Sequence, residues 1–148
     1  MIEAFHSLAT FALGLLAGAL LTEGAILVPY WRRMEPDEFL RLHGTMGPSL
    51  YRYFAPLTIA GVTLPAASAG LTLGLGGESP FRVTAGILCL CALGIYFAYF
   101  KAANAKFAEH TITPAELPEE LKRWATWHTT RTIIVLAAFG CSVAALVL

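Results

Sequence analysis

Residues 124–132 read Trp124-Ala-Thr-Trp-His-Thr-Thr-Arg-Thr132, and everything after them, from Ile133 to Leu148, is apolar or small. At 1.5 Å of rise per residue such a run forms a helix long enough to cross roughly 30 Å of hydrocarbon. Trp124, His128 and Arg131 recur at helical spacings of four and three. An indole, an imidazole and a guanidinium therefore share one face at the mouth of a membrane span, with the arginine about two turns inside.

Composition extends the reading to the whole chain. Of 148 residues, 57% are hydrophobic and 14% charged, too few charges for the surface of a soluble domain of this size. The zero formal net charge argues against nucleic acid as a partner. Cys89, Cys91 and Cys141 lie inside apolar segments at spacings that match neither a zinc knuckle nor a secreted disulfide framework, and read as free thiols. The first apolar segment lacks a basic leader and a clear cleavage site, and is expected to stay as a span.

The expected fold is all-α: an integral membrane four-helix bundle forming one domain over residues 1–148, with spans at about 5–30, 50–75, 81–107 and 121–147. A short amphipathic surface helix is expected between spans 1 and 2, starting at Pro36-Asp-Glu, presenting Phe39, Leu42, His43 and Met46 on one face, and closed by Gly47-Pro48. Gly14 with Gly18, and Gly70 with Gly74, are spaced for close helix packing, while Pro56 and Pro65 predict kinks. Residues 76–80 are too short a connection for anything but a hairpin. Arg32, Arg33, Arg41 and Arg52 follow the first span, and Lys101, Lys106, Lys122 and Arg123 surround the connection after the third. The hairpin has only Arg82. The positive-inside rule then puts the two long connections in the cytoplasm and both termini outside, in a bacterial inner membrane.

Glu23, the one acid inside a span, lies about two turns before the Tyr30-Trp31 belt. That is the depth of Arg131, so the two are expected to face each other, because a lone charge at such a depth costs at least about 2.5 kcal/mol. His128 should lie between this pair and the surface. Asn104, His43, Trp124 and Tyr99 are expected to line a polar pocket there and to bind its substrate. The outer half of the bundle is expected to hold only Ser and Thr hydroxyls and His6. Glu23, His43 and His128 are the residues a metal ion would use, but no Glu-x-x-His or His-x-x-x-His motif accompanies them, and no metal or other cofactor is predicted. Trp31, Trp124 and Trp127 read first as interface anchors and Lys101 as a snorkelling lysine.

Three pieces carry a resemblance to a known family: Gly24-Ala-Ile-Leu-Val-Pro29 ending the first span, Asn104 near the end of the third, and Trp124-x-x-x-His128-x-x-Arg131-Thr132 opening the fourth. With span order and spacing, these resemble the small four-span membrane proteins grouped with the fungal anthrone oxygenases. The resemblance implies an oxygenase acting on a reduced polycyclic phenol without a required cofactor. His128 or Glu23 would be the base, and Arg131 would stabilise the anion before it meets dioxygen. Its partners would be membrane lipid and a small hydrophobic aromatic. The competing readings are a non-enzymatic accessory subunit of a homo-oligomer or larger membrane complex, a binder of a lipid or hydrophobic cofactor, and a transporter. The transporter reading is disfavoured by the lack of a polar path through the outer half and of any broken-helix repeat.

Overall fold

The computed structural model describes residues 1–148 and is built from four long helices, each apolar enough to cross a membrane. They are α1 (Ile2–Trp31), α2 (Pro36–Gly74), α3 (Pro80–Ala108) and α4 (Leu117–Val147). Each boundary has a local cause. Pro36 opens α2, holding Glu35 extended at ψ 140°, and Asp37 and Glu38 occupy the first turn, where carboxylates complement the helix dipole. The hydroxyl of Ser79 accepts the Arg82 backbone N–H at 3.4 Å to cap α3. Ahead of α4, the Thr113 N–H and hydroxyl both donate to Glu116 Oε2, at 3.0 and 2.6 Å. These bonds hold the Glu116 carboxyl below the usual carboxylate range. α2 stops at Gly76 with φ +70°, and the Gly77 N–H returns to the Thr72 carbonyl at 2.9 Å; glycine supplies the left-handed conformation this stop needs.

The helices close in a ring in which α1 packs on α2 and α4, and α3 packs on α2 and α4. Both termini share one end with the 75–79 turn, and the other end carries the 32–35 and 109–116 connections. Between the ends lies an apolar core including Leu13, Leu16, Leu20, Val62, Cys89, Val135 and Ala138. Phe11, Ile26, Ile59, Leu73, Ile87, Leu90, Phe97 and Ile133 point outward. Apolar side chains on both the inside and the outside of the bundle are what an integral membrane protein requires.

Several expectations are corrected. Residues 36–48 are not a separate surface helix: they are the first third of α2, which runs on through Gly47 and Pro48 without interruption. The face of Phe39 and Leu40 is buried against Phe107, Ile112 and Leu117, so these residues pack on the loop ends of α3 and α4 rather than forming an element of their own. Of the four glycines expected at close packing, Gly18, Gly70 and Gly74 have open space beside them and only Gly14 is closely approached, by Phe139; the other close approaches lie elsewhere. A Cβ on Gly61 would meet Leu16 at 2.8 Å, and one on Gly86 would meet Ala69 at 2.6 Å. Trp31 and Trp124 are buried, leaving Trp127, 38% exposed, as the outward-facing indole.

The terminal end is also more polar than expected, because Arg82 reaches into it. His6 Nδ1 pairs with Ser68 Oγ at 2.6 Å, Thr10 with Ser142 at 2.7 Å, and Arg82 donates to Thr72 Oγ1 and to the Ala145 carbonyl at 3.4 and 3.1 Å. These bonds join all four helices. At about 0.6 kcal/mol for each interhelical bond in a membrane, they contribute more to fixing the register than to stability.

Gly86→Val, which drives branched carbons into Ala69, is expected to destabilise the detergent-solubilised protein by about 1–3 kcal/mol. Gly74→Ala is expected to be neutral or stabilising by up to about 1 kcal/mol; thermal unfolding followed by circular dichroism compares the two.

Candidate functional site

Two helices leave α-geometry at one level of the bundle. α1 carries a π turn at Glu23–Leu27 and α3 one at Tyr96–Phe100. π geometry occupies well under 1% of residues in proteins and concentrates at functional sites. Here both π turns flank the same guanidinium. Arg131 Nη2 lies 3.8 Å from Glu23 Oε2, and its Cζ stands 4.2 Å above the Phe100 ring. The ion pair anticipated from matching depth is formed.

His128 completes the group, and each of its ring nitrogens has close polar neighbours. Nε2 is 3.1 Å from the Leu20 carbonyl oxygen, which only accepts. Nδ1 is 3.5 Å from Arg131 Nη2, which only donates. The arrangement satisfies both neighbours when Nε2 carries the proton and Nδ1 presents its lone pair. Nδ1 also lies 3.5 Å from Glu23 Oε2. Thr132 gives its hydroxyl hydrogen to the His128 carbonyl at 2.8 Å, one turn along.

The three side chains are nearly dry, with exposures of 8% for Glu23, 2% for His128 and 12% for Arg131. Two of their atoms, Glu23 Oε2 and Arg131 Nε, are buried without a hydrogen-bond partner. In a dry interior each unmade bond costs about 1–3 kcal/mol, so the charges are held here at a cost to stability.

An aromatic layer covers the triad on its loop-end side. The Trp124 indole stacks on the His128 ring at 5.1 Å with 7° between planes, and meets Trp31 and Phe100 edge-on at 5.9 and 5.3 Å. Asn104, expected to bind substrate, instead accepts the Trp124 Nε1–H at 2.9 Å and fixes the indole plane. Tyr99 is turned away from the triad: its hydroxyl donates to Glu120 Oε1 at 3.0 Å and its ring stacks on Trp127. His43 stands farther out, stacked on Phe39 and edge-on to Phe107. The structure thus brings together Glu23, His128, Arg131 and Trp124, makes Asn104 a support, and leaves Tyr99 and His43 outside. No group of three His, Cys, Asp or Glu side chains is arranged to hold a metal ion, so His43 does not join Glu23 and His128 as a ligand set. Phe100 and Leu20 are site residues that sequence reading missed. A phenylalanine beneath a guanidinium has no signature of its own, and a carbonyl acceptor has none at all.

Two open clefts lie at the loop end. One, of about 240 Å3, is lined by Arg32, Met34, Leu117, Glu119 and Lys122 among others. The second, of about 500 Å3, involves Asp37, Arg41, Gly44 and His110. Neither is lined by the triad. Comparison with protein-family models, curated proteins and solved structures yields no match for the chain.

Trp124→Phe keeps a ring over His128 but removes the bond to Asn104, and is expected to cost about 1 kcal/mol. Adding Asn104→Leu should cost little more, because the two residues share one interaction. Trp127→Phe should stay within about 0.5 kcal/mol of the parent, all three being read by thermal unfolding.

Proposed function

We propose that this protein is a membrane-embedded enzyme whose Glu23–His128–Arg131 centre takes a proton from a hydrophobic, weakly acidic aromatic and delivers the resulting anion to dioxygen. The observation that carries the proposal is an imidazole nitrogen, His128 Nδ1, 3.5 Å from a guanidinium in a water-poor interior. A base beside an anion stabiliser is what proton abstraction from carbon needs. The charges balance at each stage. At rest, the arginine cation offsets the glutamate anion and His128 is neutral. After proton transfer, the imidazolium is offset by the substrate anion.

The chemistry follows the resemblance of Trp124-x-x-x-His128-x-x-Arg131-Thr132 to the anthrone oxygenase-like proteins. His128 Nδ1 removes one hydrogen of a doubly benzylic methylene as a proton, and the C–H electron pair delocalises into the ring system next to Arg131. The carbanion is oxidised by dioxygen with formation of a C–O bond, and the imidazolium returns its proton to the peroxide. Loss of the second methylene hydrogen as a proton breaks the O–O bond, leaving a ketone and one water for each dioxygen consumed. The aromatic layer of Trp31, Phe100 and Trp124 keeps bulk water from quenching the anion.

The orientation follows the charges. Eight Lys and Arg side chains, Arg32, Arg33, Arg41, Arg52, Lys101, Lys106, Lys122 and Arg123, surround the loop end, against Arg82 at the other. That asymmetry supports an orientation with the loop end in the cytoplasm of a bacterial cell and both termini outside its inner membrane. A second reading, an accessory subunit packed in a larger membrane complex, draws on the open small-residue surface at Gly70 and Gly74.

Purified protein in nanodiscs is expected to consume dioxygen when given an anthrone-type substrate. His128→Gln should lower the rate about 100-fold or more, and Arg131→Gln by a similar factor. Unchanged uptake in Arg131→Gln would remove Arg131 from the mechanism, and a protein that always purifies in stoichiometric company and shows no uptake would favour the accessory reading. For the orientation, a single cysteine placed at Glu109 in a cysteine-free parent should resist an impermeant thiol reagent in intact cells, whereas one at Glu78 should react.

A further inference from the structure

At position 24 the backbone of α1 passes beside the imidazole of His128. A Cβ built there would fall 3.1 Å from Nε2 and 3.3 Å from Cδ2, tighter than ordinary van der Waals contact. Gly24 lies in the π turn, directly after Glu23 and four residues beyond Leu20, whose carbonyl receives the Nε2–H. The imidazole is held between this bare backbone and the edge contacts of its own helix, with the Trp124 indole across its face. Elsewhere on α1 the same residue type has another use or none: a Cβ on Gly14 would meet Phe139 at 2.9 Å, and Gly18 has nothing within 4 Å.

We propose that Gly24 is a positioning residue of the site: by having no side chain it lets the His128 edge lie against α1, so that Nε2 donates to the Leu20 carbonyl and Nδ1 becomes the proton-accepting atom. The choice of tautomer matters because the two nitrogens face different groups. With the proton on Nε2, the lone pair points at Arg131 and Glu23. With the proton on Nδ1, an N–H would meet Glu23 Oε2 at 3.5 Å but would also point at the guanidinium, and the Leu20 carbonyl would lose its side-chain donor. A ring displaced by the few tenths of an ångström that an alanine demands weakens the Nε2 bond, and with it the bias toward the productive form. That Nδ1 then acts on substrate rests on the function proposed above; the tautomer itself does not.

The test compares Gly24→Ala with Gly18→Ala, the same change on the same helix where space is open. Protein labelled with 15N-histidine in nanodiscs is measured by solid-state NMR, with His128→Gln identifying the His128 signals. The expected result is a neutral His128 protonated at Nε2 in the parent and in Gly18→Ala, and a mixture of tautomers or a weakened Nε2–H bond in Gly24→Ala. Gly24→Ala should also unfold at a lower temperature than Gly18→Ala, and dioxygen uptake should fall about tenfold, the scale expected for a sub-ångström misplacement. An unaltered Nε2–H signal in Gly24→Ala, or a parent His128 protonated at Nδ1 or at both nitrogens, overturns the proposal. A tautomer that changes as expected in a protein with no dioxygen uptake leaves the positioning role standing and removes the oxygenase reading; uptake with an unchanged tautomer does the reverse.

Discussion

A guanidinium held inside a membrane span has to be compensated, and the arrangement around Arg131 follows from that requirement. The Coulomb term supplied by Glu23 is large only because water is scarce there, and the same scarcity makes either charge alone costly. The pair therefore ties α1 to α4 at one depth. Around it, α1 and α3 each give up α-helical regularity for one turn, bringing Glu23 and Phe100 to the cation. A purely structural ion pair would be expected to satisfy its own hydrogen bonds. Here Glu23 Oε2 and Arg131 Nε make no hydrogen bond, so charge more than hydrogen bonding holds the pair together.

The two ends of the bundle contrast in this respect. At the terminal end, His6, Thr10, Ser68, Thr72, Arg82 and Ser142 are bonded to one another or to backbone carbonyls, forming a closed network that links the helices. At the loop end the buried triad is more strongly charged and incompletely hydrogen-bonded, and an aromatic layer covers it. The closed network suits a fixed joint, and the open one suits chemistry. The apolar core from Leu13 to Val135 separates them.

Much of this was legible in the sequence, for identifiable reasons. Span number and order follow from hydropathy, which depends on composition and hardly on packing. The Glu23–Arg131 contact follows from depth, which helical rise converts from residue number. What the sequence could not convey depends on which side of a helix meets which neighbour. Gly47-Pro48 looks like a stop because proline removes an N–H and crowds the preceding turn, yet α2 continues through it, supported by the burial of Phe39 and Leu40 against α3 and α4. Trp124 looks like an interface anchor because indoles favour that level, yet Asn104 gives its N–H a partner inside the protein. Tyr99 is near the right depth but turned toward Glu120 and Trp127. The π turns leave no trace in hydropathy, since they add a residue to a turn without changing its character.

The central claim is that Glu23 and Arg131 form one interacting unit rather than two independently placed charges. A double-mutant cycle with Glu23→Leu and Arg131→Leu, read by unfolding of the protein in mixed micelles, tests it most directly. The account predicts that each single change is strongly destabilising, and that the double variant recovers enough stability to give a coupling energy of about 1–3 kcal/mol. Additive effects within about 0.5 kcal/mol would contradict it.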